Sequence, residues 1–494
     1  MKKIVALFAA IAVLICQIGV FAEVDAAPEG VEENFVQSEV DNAKRLLDAI
    51  GVKLSVSPTL TDTVSRGDFL NALVACFQLD SIKTAQETCF YDVNEGDAYS
   101  SAVVVGLELG IVSEGTFFRP SAPVTYTEAV KMVVAALGYN ADAAANGGWP
   151  SGYLIMADRL KLNSSGRNAD GLLNVGQFYE MMGNMLEADI RVVSAFVNRN
   201  ARLVARYQEK SNILTLFYEW EKVSGVIDGN EFTRLFDSGE TLPDGFITIE
   251  NDAYYCPVPY TLGSRVKGYS MERDGRETIM YLEEWNNDIL TIYASDEPSY
   301  EDGAIEYFGE NGRETTADLA GMCAVIYNGK AYTGYTAADF ALDAGYITLV
   351  DNNNDGEYEV ALVYNGEIWY ADFINQNDEK IYDGHYQKTL ELSGDMDSKI
   401  VKDGQSVPLS ALTADSAFEC YISKDGNFAE LHVLSDEVSG TLTATGDNEI
   451  YIDDVAYECT QYFTDRFLNS LAVGNESTFT MTADKKVAAV NGRS

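Results

Sequence analysis

Three similar segments follow one another in the N-terminal third of the chain, and this repetition constrains the fold more than any other feature of the sequence. Each copy begins with a helical pattern that ends in a short apolar motif: IGV at 50–52, LGI at 109–111 and LKL at 160–162. After a loop, each copy starts a second helix: VSRGDF at 64–69, VTYTEA at 124–129 and LNVGQF at 173–178. The two motifs lie 12, 13 and 11 positions apart, and such regular spacing predicts repeated units around a shared core.

The second helix of each copy begins with the residues of a capping box. A capping side chain comes first, and a residue that can reach back to the cap follows three positions later: Ser65 and Asp68, Thr125 and Glu128, Asn174 and Gln177. Apolar residues then recur every three or four positions, which places one stripe of each helix in a core. The sequence predicts an all-α bundle over 34–190, with copies at about 34–80, 89–140 and 147–190.

The residue after each cap differs between the copies. Arg66, Tyr126 and Val175 occupy this position in the first helical turn, where free backbone N–H groups and the helix dipole favour an anion. Arg66 adds a full charge and a planar fork that suits a carboxylate. Tyr126 offers a hydroxyl and a ring face, and Val175 offers neither. The alternative is that these are ordinary exposed residues of a first turn.

The first 22 residues, MKKIVALFAAIAVLICQIGVFA, have the pattern of an export signal. Two lysines precede an unbroken apolar run, and the small residues Val20 and Ala22 predict cleavage after Ala22. An uncleaved anchor is the alternative, although no positively charged stop-transfer flank follows the run. The sequence therefore predicts a secreted protein with no transmembrane domain after cleavage.

The charge balance is strongly acidic, with 34 basic and 77 acidic residues and a net charge of −43. A nucleic-acid partner is excluded because phosphate binding requires a basic surface. Six of the seven cysteines lie beyond the signal, which permits disulfides but does not indicate their pairing. No CxxC pair occurs, so zinc and thioredoxin-like sites have no support.

The three copies resemble the S-layer homology (SLH) family. The middle copy, CFYDVNEGDAYSSAVVVGLELGIVSEGTFFRPSAPVTYTEAVKMVVAALGY, is most similar, and GGWPSGYLIMADRLKL resembles the family's third-copy variant. The resemblance implies a pseudo-threefold helical bundle whose grooves hold the protein non-covalently on an anionic secondary cell-wall polysaccharide. It also implies that the arginine of a TRAE-like motif contacts the sugar, and here only Arg66 matches that arginine.

Two aromatic positions extend the resemblance. The family's tryptophan in the first helix of a repeat is replaced by Tyr99 in copy two, and copy three has Trp149 in a different setting. The predicted polysaccharide-binding residues are therefore Arg66, Tyr126, Tyr99 and Trp149. Loss of the ligand, with the repeats serving assembly alone, is a further alternative.

The C-terminal two thirds of the chain have a different texture. A connector over 191–222, with Arg199, Arg202 and Arg206 at helical spacing, is predicted to be helical. Beyond it, short runs of Val, Ile, Tyr and Thr between Gly, Asn and Asp predict strands. KVSGVIDGNEF and EVSGTLTATGDNEI open two similar modules at 223–289 and 437–494, separated by a β region over 290–436. The sequence thus predicts a multidomain α+β protein, with an all-α N-terminal bundle of three SLH-like repeats followed by all-β modules.

One loop of the middle β region, DNNNDGEYE, has a pattern that suits calcium. Asp351, Asn353 and Asp355 present oxygen atoms on alternate residues of a tight loop, as a hard cation requires. Leu362 stands where an EF-hand would need an acidic ligand, and strands flank the loop. A plain hairpin turn, which uses the same residue types, is the alternative.

No catalytic motif accompanies these features. Two histidines, His385 and His432, are too few for most histidine-based sites, and GxSxG, HExxH and phosphate-binding loops are absent from the sequence. The sequence predicts a non-enzymatic cell-surface protein whose β modules act as S-layer, adhesive or scaffold cargo, with other surface-layer proteins as further partners. The alternative is an SLH-anchored polysaccharide- or wall-degrading hydrolase with a catalytic carboxylate pair in the β region.

Overall fold

The computed structural model describes most of the chain beyond the predicted export signal. The described residues are 36–54, 59–82, 87–162, 171–199, 202–236, 242–309, 312–342, 344–394 and 396–491, with side chains left out at 192–210 and 491. The predicted signal, 1–22, lies outside them. They form two compact units, and the second begins at Val223. No helix within these ranges combines the length and the apolar character needed to cross a membrane.

The first unit contains helices followed by a β-hairpin and one short helix. The helices are α1 (Gln37–Ala49), α2 (Arg66–Cys76), α3 (Ser100–Glu108), α4 (Tyr126–Ala136), α5 (Asn140–Ala145), α6 (Ser151–Arg159) and α7 (Val175–Glu187). The hairpin consists of β1 (Ile190–Arg199) and β2 (Arg202–Lys210), and α8 (Ile213–Phe217) follows it. Phe69 of α2 and Phe178 of α7 are fully buried and pack edge to face, with ring centroids 6.0 Å apart.

A ring of backbone hydrogen bonds joins the three helix starts. The N–H of Val64 donates to the carbonyl of Leu173 at 3.1 Å, that of Leu173 to Val124 at 2.9 Å, and that of Val124 to Val64 at 2.9 Å. Each of these residues directly precedes the cap of α2, α4 or α7. The loops that precede α2, α4 and α7 therefore meet at one point, and the three helix starts are joined there.

The caps of these helices follow the sequence prediction. Thr125 with Glu128 and Asn174 with Gln177 form complete capping boxes, so both predictions are confirmed. Ser65 accepts from the N–H of Asp68 at 3.1 Å, and its hydroxyl donates to the Asp68 carboxylate at 2.6 Å. Each cap satisfies N–H groups that would otherwise lack a partner and so fixes where its helix begins.

The predicted division into an all-α bundle and all-β modules was wrong. The first unit includes the antiparallel pair β1–β2 where a helical connector was expected, and bridges pair the loops before α2, α4 and α7. The arginine spacing suggested a helix, but the β-branched residues Val192, Val193 and Val197 favour a strand. The second unit in turn contains the short helices α9 (Ala337–Phe340) and α10 (Gln461–Arg466).

The second unit begins with a small closed barrel of strand order β3-β4-β5-β7-β6. Its strands are β3 (Glu221–Asn230), β4 (Phe246–Ile249), β5 (Asp252–Tyr255), β6 (Arg265–Arg273) and β7 (Arg276–Glu284). Alternate residues of β3 face the interior, where Ile227, Ile247 and Ile279 are almost completely buried. The barrel core continues into neighbouring strands through Val350 and Val360.

Three sheets occupy the middle of the second unit. A seven-stranded sheet contains β8 (Asp288–Tyr293), β9 (Ser299–Glu301), β10 (Ala304–Phe308), β11 (Glu314–Tyr327), β12 (Lys330–Ala331), β13 (Gly345–Asp351) and β14 (Tyr358–Asn365). A three-stranded sheet contains β16 (Phe373–Asn375), β17 (Lys380–Asp383) and β18 (Lys388–Glu391). A five-stranded sheet contains β15 (Glu367–Tyr370), β19 (Asp397–Lys402), β20 (Gln405–Ser406), β21 (Ala417–Ile422) and β22 (Phe428–Val433).

The C-terminal module repeats the pairing pattern of the barrel. Its strands are β23 (Glu437–Thr445), β24 (Glu449–Ile452), β25 (Val455–Glu458), β26 (Glu476–Met481) and β27 (Val487–Asn491), in the order β25-β24-β23-β26-β27. Tyr255 pairs with Thr278 in parallel between β5 and β7 of the barrel, and Cys459 forms a parallel bridge to Val487 in the module. The module therefore has the strand pairing of the barrel, with an isolated bridge at the position of the barrel's β5–β7 contact. Each described cysteine, Cys459 included, carries a free thiol.

Candidate functional site

Arg66 connects the start of α2 in copy one to the start of α4 in copy two. Its guanidinium Nη1 lies 2.9 Å from Oε1 of Glu128, and its Cζ lies 5.0 Å from the centre of the Phe118 ring. The Arg66 and Glu128 side chains are 21% and 38% exposed, although Nη1 of Arg66, the atom that faces Glu128, is itself buried. The ring of Phe118 packs on one face of the planar fork.

Lys131 belongs to the same charged cluster. It lies one turn along α4 from Glu128, and its ammonium donates to the Ser113 hydroxyl at 2.7 Å. Burial lowers the pKa of Lys131, and the positive charge of Arg66 lowers it further, while Glu128 opposes the shift. The cluster thus holds two positive side chains, Arg66 and Lys131, around the carboxylate of Glu128.

The backbone N–H groups at these helix starts are already bound. Those of Arg66 and Gly67 donate to the carbonyls of Ala122 and Pro120, both at 2.8 Å, and that of Tyr126 donates to Gly171 at 2.9 Å. The expectation of free N–H groups at this position was therefore wrong. Packing between copies supplies the acceptors, and no single copy reveals them in the sequence.

Tyr99 lies beside the Arg66 helix start. Its hydroxyl donates to Oδ1 of Asp68 at 3.0 Å, and its ring covers Gly67 so closely that a Cβ there would meet it at 2.9 Å. Tyr99 thus lies at a point of direct contact between copies one and two. The structure brings together Arg66 and Tyr99, which the sequence placed 33 residues apart.

Tyr126 and Trp149 lie in different environments. Tyr126 is only 2% exposed and belongs to the core of the first unit, as does Val175 at 1%. Trp149 is 46% exposed and packs edge to face on Tyr153, with ring centroids 6.2 Å apart. Of the four predicted residues, Arg66 and Tyr99 share one site, Trp149 offers a separate surface ring, and Tyr126 is withdrawn from solvent.

Sequence reasoning missed an exposed aromatic pair next to Phe118. Tyr91 and Phe117 are 80% and 57% exposed, and their ring centroids lie 6.2 Å apart. The N–H of Tyr91 donates to Thr116, and Asp92 accepts from the N–H groups of Phe118 and Arg119 at 2.8 and 2.7 Å, which fixes the two segments together. The sequence indicates this pair only through two aromatic doublets, Phe90-Tyr91 and Phe117-Phe118. In each doublet one ring is buried and the other is exposed.

The acidic loop between β13 and β14 is a well-bonded turn. Asp351 is 1% exposed; its Oδ1 accepts from the N–H groups of Asn353 and Asn354, and its Oδ2 accepts from that of Gly356. Carboxylate oxygens of Asp351, Asp355 and Glu359 lie within 4.8 Å of one another. Asn353 instead donates its amide to Glu359 at 2.5 Å, so Glu359 stands where the sequence prediction had Asn353.

Two proteins of the bacterial cell envelope are similar to parts of this chain. Over 199 residues, 38% of the chain, it is 28% identical to the Middle cell wall protein of Brevibacillus brevis. Over 134 residues, 26% of the chain, it is 31% identical to the Surface layer protein of Brevibacillus choshinensis. The chain spans 18% and 12% of the length of these two relatives. No family model matches the chain. The similarity assigns the protein to the cell wall and cell surface.

Proposed function

We propose that this is a non-enzymatic surface protein that attaches non-covalently to an anionic secondary cell-wall polysaccharide through its three SLH-like repeats. The cluster of Arg66, Glu128 and Lys131 is the observation that carries the proposal. The second unit acts as S-layer, adhesive or scaffold cargo, and other surface-layer proteins are its partners. The names of the two similar proteins support this assignment.

The chemistry of the cluster suits a sugar that bears a carboxylate. Arg66 supplies a fork that can bind two oxygens at once, and Lys131 supplies a second positive charge one helical turn away. A sugar carboxylate would compete with Glu128 for the fork. Since the chain carries a net charge of −43, attraction of an anion depends on this local excess of positive charge.

The exposed rings complete the recognition surface. Phe118 packs under the Arg66 guanidinium, and its neighbour Phe117 faces solvent beside Tyr91. Aromatic faces bind the apolar C–H faces of sugar rings while the hydroxyl groups stay in water. A polysaccharide chain can thus place an acidic unit on Arg66 and a neighbouring ring on Tyr91 and Phe117.

Pelleting of the full chain with purified cell walls tests the proposal. Binding is expected to walls that retain the secondary polymer and to be lost once the polymer is removed chemically. Arg66→Ala should reduce binding about tenfold or more, which corresponds to loss of one bidentate charged contact. Arg66→Lys should recover only part, because an ammonium lacks the fork.

Lys44→Ala provides the matched control. Lys44 is an exposed cation of α1, so its loss changes the net charge by the same amount as Arg66→Ala. Equal loss of binding by both variants would show a non-specific charge effect and contradict the proposal. Binding that survives removal of the polymer would contradict it as well.

A further inference from the structure

A cavity of about 390 Å³ opens within the second unit where three sheets meet. Its lining includes Tyr293 of β8, Tyr346 of β13, Glu419 of β21, His432 of β22 and Met481 of β26. Small-ligand pockets occupy roughly 300–1,000 Å³, so the cavity has the size of a binding site for one small group. None of its residues belongs to the Arg66 site.

The tyrosines present fixed aromatic faces. The rings of Tyr293 and Tyr346 have centroids 6.3 Å apart and planes inclined by 59°. The Tyr346 hydroxyl lies 3.4 Å from Nδ1 of His432, and its ring packs against Tyr364 at 5.0 Å. Because the Tyr346 hydroxyl is held at the histidine and its ring packs on Tyr364, the orientation of Tyr346 in the lining is fixed. Aromatic faces attract cations.

The remaining polar groups of the cavity are mainly acidic. Glu419 is 8% exposed and accepts a hydrogen bond from the Tyr421 hydroxyl at 2.6 Å, which fixes its carboxylate. Asp403 and Asp436 lie exposed at the rim. Among the described residues, the lining includes no lysine or arginine. Nε2 of His432 lies 3.0 Å from a carboxylate oxygen of Glu430. An anionic ligand would be repelled here, whereas an ammonium group would meet carboxylates and ring faces together.

A lysine of the protein already shows this preference at the rim. The Lys485 ammonium, which lies outside the cavity lining, is 2.6 Å from Oδ2 of Asp436. It balances one rim carboxylate and leaves Asp403 at the rim and Glu419 on the wall. A second ammonium group inside the cavity would be attracted by both of these carboxylates.

We propose that this cavity binds the primary ammonium group of a small ligand, between the rings of Tyr293 and Tyr346 and the carboxylates of Glu419 and Asp403. An amino sugar and a lysine-like side chain share this chemistry. The ligand of this cavity would be positively charged, whereas the polymer proposed to bind at Arg66 is negatively charged. The cavity proposal does not depend on the one for Arg66.

Calorimetric titration of the full chain with three probes tests the proposal. D-Glucosamine and Nα-acetyl-lysine amide each carry the ammonium group, and comparing them identifies its source. N-Acetyl-D-glucosamine keeps the sugar ring and loses the charge. At least one amine should bind, and N-acetyl-D-glucosamine should bind about tenfold more weakly or not at all, as expected for loss of a charged contact.

Two variants locate the site. Glu419→Gln should weaken amine binding about fivefold to tenfold, since the amide still accepts from Tyr421 but carries no charge. Asp403→Asn should weaken it severalfold, and Asp274→Asn is its matched control. Both aspartates begin an Asp-Gly hairpin turn with positive φ. The φ angles are 51° and 74° for Asp403 and Gly404, and 53° and 79° for Asp274 and Gly275. Asparagine suits both turns, so neither variant should disturb folding.

Three outcomes would overturn the proposal. Equal binding of D-glucosamine and its N-acetyl form would indicate a neutral saccharide site, and binding of neither amine would remove the ligand class. Unchanged amine affinity in Glu419→Gln, with Asp403→Asn behaving like Asp274→Asn, would place the bound amine elsewhere. A melting temperature equal to wild type in each variant ensures that lost binding reports on the cavity.

Discussion

At the scale of single residues, Glu128 has two functions that one substitution can separate. Its Oε2 accepts from the N–H of Thr125 in the capping box, and its Oε1 pairs with Arg66. Glutamine can replace the first contact, as Gln177 does in copy three, but it carries no charge. Arg66 would then lose the Glu128 carboxylate as a competitor of an anionic polymer.

Glu128→Gln is therefore expected to strengthen binding to the wall polymer by about threefold to tenfold, the gain from releasing one partly exposed ion pair. Pelleting across a protein concentration series would measure the shift. The melting temperature should change little because the cap persists. Weaker binding at an unchanged melting temperature would mean that Glu128 itself helps to hold the ligand.

The acidic loop allows a second separation at residue scale. Asp351→Ala should lower the free energy of unfolding by about 2–3 kcal/mol without calcium, because several loop N–H groups lose their buried acceptor. Chemical denaturation in a chelating buffer measures this loss. An unchanged stability would show that the turn does not depend on Asp351.

Calcium binding by this loop stays a prediction, and Asp355→Asn tests it. Asp355 is exposed and accepts from the N–H of Glu357 at 3.0 Å, which asparagine can also do. If the carboxylates of Asp351, Asp355 and Glu359 hold the ion, millimolar calcium should raise the melting temperature of the wild type. The variant should respond much less. No response of the wild type at millimolar calcium would reject the site.

At the scale of elements, the sequence predicted features that depend on neighbouring residues, but it did not predict the contacts between separate elements. The capping boxes of α4 and α7 were readable because each depends on residues three positions apart. The ring of hydrogen bonds through Val64, Val124 and Leu173, and the carbonyls that occupy the helix-start N–H groups, depend on contacts between copies. The same limit explains why Arg66 was predicted as a ligand residue while its contacts with Glu128 and Phe118 were not.

The pairing of β19 with β22 creates a buried ion pair with a measurable pH dependence. Lys399 lies 3.3 Å from Glu430, whose side chain is 5% exposed. Burial would raise the pKa of Glu430, but Lys399 and His432 outweigh burial and lower that pKa to about 2. Because this pKa is lower in the folded than in the unfolded chain, the ionised Glu430 stabilises the fold at any pH above its unfolded pKa of about 4.5. This contribution is lost as the pH falls from about 4.5 towards 2.

Lys399→Met should therefore cost about 2–4 kcal/mol at pH 7, because it removes the cation that pairs with the buried Glu430 carboxylate. The difference from wild type should shrink as the pH falls, because Glu430 of the folded variant, whose pKa Lys399 no longer lowers, becomes protonated before that of the wild type. Denaturant titrations between pH 3 and 7 would measure both effects. A difference that stays constant with pH would show that Lys399 acts through packing rather than charge.

At the scale of the whole molecule, the excess of acidic residues and the local positive charge at Arg66 respond to salt in opposite directions. Repulsion among 77 acidic side chains opposes the compact state, and salt screens it. Attraction of an anionic polymer to Arg66 and Lys131 is screened by the same ions. Raising sodium chloride from about 20 mM to about 500 mM should therefore raise the melting temperature and weaken wall binding.

The two responses are measured on one protein preparation, by thermal melting and by pelleting with walls. Arg66→Ala should keep the rise in melting temperature and lose most of the salt dependence of binding, since it changes the ligand contact and leaves almost all of the surface charge. Lys44→Ala should keep both responses. If wall binding instead strengthens with salt, apolar contacts of Tyr91 and Phe117 dominate attachment, and the charged cluster at Arg66 does not determine it.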